Sequence, residues 1–189
     1  MKSWLSTTAV VCAMAAAPAL SFAQDKPATM KPGTAAMDAK SGAQSPDSAF
    51  IKTAVLDGMA EVDLGNLAAT NAESNDVKAF AQKMVADHGK AGDELKTIAS
   101  QKNVTLPTEL DAKHKAVKTR LSNLKGKAFD SAYVSQMLAG HREAVALFQR
   151  EAKSGKDADV KAFAEKTLPT IQEHLKAVQD LGAKNKKTE

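Results

Sequence analysis

The sequence predicts an all-α fold: a four-helix bundle made from a duplicated helical hairpin, with an extra helix in the long middle connection. Three observations carry this. From Asp47 onward no stretch alternates apolar and polar residues at period two, and Ala, Lys, Glu, Leu and Gln dominate. Apolar residues recur instead at steps of three and four. The segment DVKAFA also occurs twice, at 76–81 and 159–164, an offset of 83. At that offset Phe50 pairs with Tyr133, Val62 with Val145, Leu64 with Leu147 and Ala69 with Ala152. Two copies at so long a period exclude a solenoid. Two amphipathic hairpins bury their stripes best against each other.

Ser45 or Asp47 caps the first helix, with Pro46 tolerated in its first turn. NAESND breaks the chain, and a second helix runs from about Val77 to Lys102. NVTLPTE is a loop, and a shorter helix spans about Glu109 to Leu124, ended by Gly126. The third bundle helix covers about Ala128 to Lys153, and SGKDAD is the next break. The fourth runs from Val160 to about Leu181, where Gly182 stops it and Pro169 kinks it before His174. A long connection between the second and third helices is the ferritin-like arrangement.

The ends of the chain read differently. MKSWLSTTAVVCAMAAAPALSFAQ has one lysine, an apolar run and small residues at Ser21 and Ala23. This is the pattern of a signal peptide cleaved after Ala23, giving a periplasmic or secreted protein. The only Cys, Cys12, lies inside it, so the mature chain has no disulfide. Residues 24–46 are Pro, Ala, Gly, Lys and polar without an apolar period, which predicts a flexible linker. The bundle is expected over 47–182 and a basic tail over 183–189. The tail could touch an envelope or anionic membrane surface. Interspersed charges, a formal net charge of +4 and few aromatics exclude a nucleic-acid surface.

Each bundle stripe carries one strongly polar residue: Glu61, His88, His141 and His174 in chain order. Counted from the hairpin breaks, all four fall in the middle third of the bundle, within about 10 Å along the axis. Two accounts fit them. Glu61 and the histidines can satisfy one another by hydrogen bonds, since a buried carboxylate needs a partner. Alternatively the four are ligands of a transition metal, for which imidazole suits copper, zinc or iron, while one carboxylate is too few for magnesium or calcium. Met84 and Met137 stand one turn before His88 and His141, as core filling or as thioethers that favour copper(I). Gly58 and Gly65 flank Glu61 by one turn, leaving room for an ion or for close helix packing. His114, on the connecting helix, belongs outside this layer. Asp87 and Glu173 point about 100° away from their neighbouring histidines, as outer partners or into solvent.

EVDLGNLA, VKAFAQKMVADH, the GKAFDSAY connection and KAFAEKTLPTIQEHL together resemble the bacterial exported family called domain of unknown function 4142, from about Asp47 to Leu181. The resemblance implies a ferritin-like bundle of unassigned activity, with outer-membrane and stress-related members. A di-iron site is not implied by the residues: three positions before His88, His141 and His174 stand Val85, Leu138 and Ile171, not Glu. No mature Cys, nucleophile-elbow serine or paired core carboxylates support catalysis. Three functions stay open. A non-enzymatic envelope protein, stress-protective or an interaction module, needs the fewest assumptions. A metal-binding protein with a mononuclear His-rich site is the second, and an oxidoreductase at such a metal the third.

Overall fold

The computed structural model describes residues 45–185. The signal peptide, nearly all of the linker and the last four residues of the tail lie outside them. Among the described residues there are five helices and no strand: α1 (Pro46–Asn71), α2 (Asn75–Gln101), α3 (Ala112–Ser122), α4 (Gly126–Ser154) and α5 (Ala158–Asn185). No helix among them is long and apolar enough to cross a membrane.

Polar side chains set the starts. Ser45 accepts from the Ser48 N–H, Ser74 from Val77, Asp111 from His114 and Asp157 from Val160. Each satisfies an N–H that has no partner within its helix. Two glycines do not stop helices as expected. α3 ends at Ser122, and Gly126 instead opens α4, its φ of 60° supplying the left-handed backbone of the turn. α5 passes through Gly182 to Asn185, and it also runs as one helix through Pro169. Packing along the apolar face, where Val178 and Leu181 are buried, outweighs the low helix propensity of Gly182.

α1 packs on α2 and α4, and α5 packs on α4 and α2, so the two hairpins lie side by side. α3 crosses back over α1 and α4, pinned by buried Leu121 and by Lys118 donating to Asp63. The hairpins run head to tail, with their breaks at opposite ends. Asp130, at the start of α4, accepts from the Glu73 and Ser74 N–H groups at the first break (3.2 and 2.8 Å). Asp47, at the start of α1, accepts from the Lys156 N–H at the second (2.9 Å). Asp47-Ser48-Ala49 and Asp130-Ser131-Ala132 are related by the same offset of 83. Each copy of the hairpin therefore caps the break of the other.

At the second break this arrangement adds an acid. Glu151 is 6 % exposed and lies against Asp47. Burial first, and then its contact with Asp47, push its carboxyl up to about 7 from the ordinary 4.5. The folded state thus keeps a proton that the unfolded chain releases near pH 4.5. That stabilisation is complete below about pH 4.5 and is lost as pH rises through about 7. Glu151→Gln is expected to flatten this slope and to be the more stable protein at pH 8, by about 2 kcal/mol. Melting temperatures of both proteins at pH 5 and pH 8 check it; parallel pH profiles would contradict it.

Candidate metal centre

The core is two hydrophobic halves separated by a polar layer. One half contains Leu64, Phe80, Met84, Tyr133, Met137 and Val178. The other contains Val55, Leu95, Ala144, Phe148 and Ile171. Glu61, His88, His141 and His174 sit between them, one from each long helix, because each stripe breaks its apolar run at the same level. The layer comes together as the spacing predicts. His141 and His174 are 0 % and 1 % exposed, and Glu61 8 %. The three imidazole centroids are 5.4, 5.4 and 5.8 Å apart, a nearly equilateral triangle.

The outer edges of the layer are tied down. His141 Nδ1 donates to the Met137 carbonyl at 2.9 Å and lies 3.3 Å from Glu61 Oε1. His174 Nε2 donates to Asp87 Oδ2 at 2.8 Å, and Lys83 donates to the same oxygen at 2.7 Å. With those nitrogens used as donors, the other nitrogen of each ring carries a lone pair. His141 Nε2 and His174 Nδ1 are both buried without a hydrogen-bond partner. His88 Nε2 lies 2.7 Å from Glu61 Oε2, in an ion-pair contact that lacks hydrogen-bond geometry. Each ring offers one nitrogen within 4.8 Å of those of the other two.

The charges follow from these contacts. Burial works against an ionised Glu61, but the three rings, His88 foremost, outweigh it and hold the carboxyl below its ordinary value. Burial also works against a charged His88, and Glu61 outweighs it, raising that imidazole. His174 goes the other way. Burial, reinforced by the neighbouring rings, overcomes Asp87 and lowers it to about 4, so its lone pair is free at neutral pH.

His114 stands outside the layer, as expected, with its ring nitrogens beside Asp57 (3.3 Å) and Asp111 (2.8 Å). Asp87 is an outer partner, of His174 rather than of its own neighbour His88. Glu173 is exposed. Two residues near the layer carried no sequence signal. Asp57 lies one turn before Glu61 and is raised by burial, with His114 opposing. Tyr133 is fully buried with its hydroxyl unpartnered, and burial raises it well above an ordinary tyrosine. The two glycines beside Glu61 differ. A Cβ on Gly65 would strike Val85 Cγ2 at 2.7 Å and the Ala81 carbonyl oxygen at 2.9 Å, so that glycine serves close packing of α1 on α2. A Cβ on Gly58 would meet nothing within 4 Å.

Fold and centre together define a ferritin-like helical bundle whose core is split by a layer of three imidazoles and a carboxylate. The chain belongs to the family described as domain of unknown function (DUF4142), whose model matches residues 32–181. No curated protein matches the sequence. Several solved structures share the fold. A DUF305 fragment from Deinococcus radiodurans superposes with a TM-score of 0.66 at 13 % identity, covering 75 % of this chain and 98 % of that one. A DUF305 protein from Streptomyces coelicolor gives 0.64 at 16 % identity, covering 75 % and 92 %. CopM in its Cu(I)-bound form gives 0.61 at 18 % identity, covering 72 % and 95 %.

Proposed function

We propose that this protein binds a single transition-metal ion, copper(I) foremost, between His88, His141 and His174, with Glu61 as the neighbouring anion. The observation that carries the reading is the pair of buried, unpartnered imidazole nitrogens, His141 Nε2 and His174 Nδ1. Hydrogen bonding accounts for the outer nitrogens of His141 and His174, and ion-pair contact with His88 and His141 accounts for Glu61, but neither reaches these two, which are left unsatisfied at about 1–3 kcal/mol each. Ligating histidines commonly donate their second nitrogen to a carbonyl or carboxylate, which is the role Met137 and Asp87 fill. Metal–nitrogen bonds of about 2.0 Å require ligand atoms about 3.3–3.5 Å apart. The three ring nitrogens lie within 4.8 Å of one another, so they must close by up to about 1.5 Å to meet that requirement.

Copper(I) is favoured on charge and number. Three imidazoles, with His88 giving up its proton as the ion binds, supply a low coordination number, and the one carboxylate balances a monovalent ion in a dry core. CopM, which shares the fold, has been solved with Cu(I) and with Ag bound. Zinc fits the same donors, with Glu61 moving in as a fourth ligand. We assign no reaction to the centre. The role we infer is capture or buffering of the ion outside the cytoplasm, following the leader-like N-terminus.

The test is binding. The full-length protein, freed of metal, is titrated with Cu(I) under anaerobic competition with a chromophoric chelator, and with Zn(II) separately. One ion per chain is expected, with a rise in melting temperature by linkage of about 4 kcal/mol at 1,000 times Kd. No stoichiometric uptake of either ion would overturn the reading and leave a purely structural polar layer.

A further inference from the structure

The centre poses a problem of access. His141 and His174 are sealed, whereas the His88 side chain keeps 13 % exposure. That edge faces a groove of ≈ 260 Å³ between α1 and α2, walled in part by Gly58, Met59, Gly89 and Gly92. A smaller cavity of ≈ 30 Å³ lies behind it and reaches Glu61. Gly58, His88 and Gly92 line both spaces, so the two adjoin at His88, and the inner one is lined by Glu61 but not by His141 or His174.

Three glycines inside helices weaken those helices relative to alanine. Close packing, which explains Gly65, does not explain them: a Cβ on Gly58, Gly89 or Gly92 would have no atom within 4 Å. Side chains there would instead fill the space over His88. The mouth carries paired charge, Asp93 with Lys96 and Asp63 with Lys118, so it presents no uncompensated cation to an incoming ion. A second cavity, beside α3, also reaches Glu61, and His114, held between Asp57 and Asp111, forms part of its wall.

The geometry points to the glycine-walled groove as the doorway through which the ion is exchanged. His88 meets the ion first, Glu61 next, and the unpartnered nitrogens of His141 and His174 complete its coordination. This rests on the metal reading above. It makes the glycines determinants of rate and the buried rings determinants of affinity.

The experiment uses the full-length protein, with Cu(I) delivered from and withdrawn by bicinchoninate and followed by stopped-flow absorbance. Gly92→Leu fills the doorway, and Gly92→Ala is the control that improves the helix without filling it. Gly92→Leu is expected to slow loading and removal alike by about tenfold or more, leaving Kd within about threefold, while Gly92→Ala behaves as wild type. Gly89→Leu replaces Gly92→Leu if circular dichroism shows that the latter does not fold. A metal-free readout runs alongside: diethyl pyrocarbonate should modify His88 in the wild type and be excluded from it in Gly92→Leu. Uptake of Cu(I) at equal rates in wild type and folded Gly92→Leu overturns the doorway alone. A wild type that takes up no Cu(I) overturns the metal reading and the doorway with it.

Discussion

Replacing His174 with leucine is expected to stabilise the metal-free protein while abolishing ion binding. His174 is 1 % exposed, and its Nδ1 has no partner. Leucine removes that unsatisfied nitrogen and joins Val178 and Ile171, the buried residues on either side of it along α5. Asp87 is not stranded by the change, because it is partly exposed and keeps its bond from Lys83. The gain is about 1–3 kcal/mol, or several degrees in melting temperature for a domain of this size. The ion, left with two imidazoles, should bind at least about a thousandfold more weakly, a loss of about 4 kcal/mol. A histidine kept only for structure predicts the opposite: a lower melting temperature, with nothing to lose in binding. Thermal melts with and without Cu(I) on this one variant separate the two accounts. Sites kept for function at a cost in stability are where such stabilising substitutions are found.

The second large effect is at the hairpin break. Asp130→Ala is expected to lower stability by about 3 kcal/mol and the melting temperature by roughly 10 °C. Asp130 is 5 % exposed, and its two carboxylate oxygens take the N–H groups of Glu73 and Ser74. Alanine leaves both N–H groups without those acceptors beside a buried site. Asp47→Ala, the equivalent change in the other copy, should cost less. It removes one such bond, to Lys156, and at the same time relieves Glu151 of a neighbouring carboxylate. Denaturant melts of the two variants at pH 7.5 compare them. A loss from Asp47→Ala of half that from Asp130→Ala would mean that the Glu151 contact carries no energetic weight there, and a smaller one is expected.

Much of this architecture is written in one dimension. A helix stripe is a periodic string, so Glu61, His88, His141 and His174 could be placed on inward faces, and the offset of 83 aligned the two hairpins. Their meeting in one layer needed only helix rise and loop position. What the string does not carry is which nitrogen of each ring faces inward, because that depends on partners from other helices. Asp87 shows the difficulty: it lies off the stripe of α2, yet it is the partner of His174 on α5. The caps are similar. Asp47 is visible as a helix start and Asp130 lies in the first turn of the predicted third bundle helix, but neither position gives a hint that it closes the far hairpin's break. Glycines are the most ambiguous. Gly58 and Gly65 stand symmetrically about Glu61, yet one faces open space and the other a neighbouring backbone. Gly126 and Gly182 read equally well as stops and are neither, since tertiary packing outweighs local propensity.

The reciprocal caps have a consequence for where such a chain comes from. A single hairpin holds both an acidic lock and the break that the lock fits, but at opposite ends of a 26-residue helix, about 39 Å apart. It cannot close on itself. A second copy laid alongside in the reverse direction closes both at once, the isologous pairing of a two-fold homodimer. The present chain holds that arrangement within one polypeptide, and α3 with its flanking loops joins the two copies. Duplication also freed the two halves to diverge: Glu61 and His88 of one copy face Ala144 and Ile171 at the matching positions of the other, whose own histidines match Gly58 and Ala91. A symmetric pair would have had to carry every polar residue twice, and only the fused chain can build one asymmetric centre.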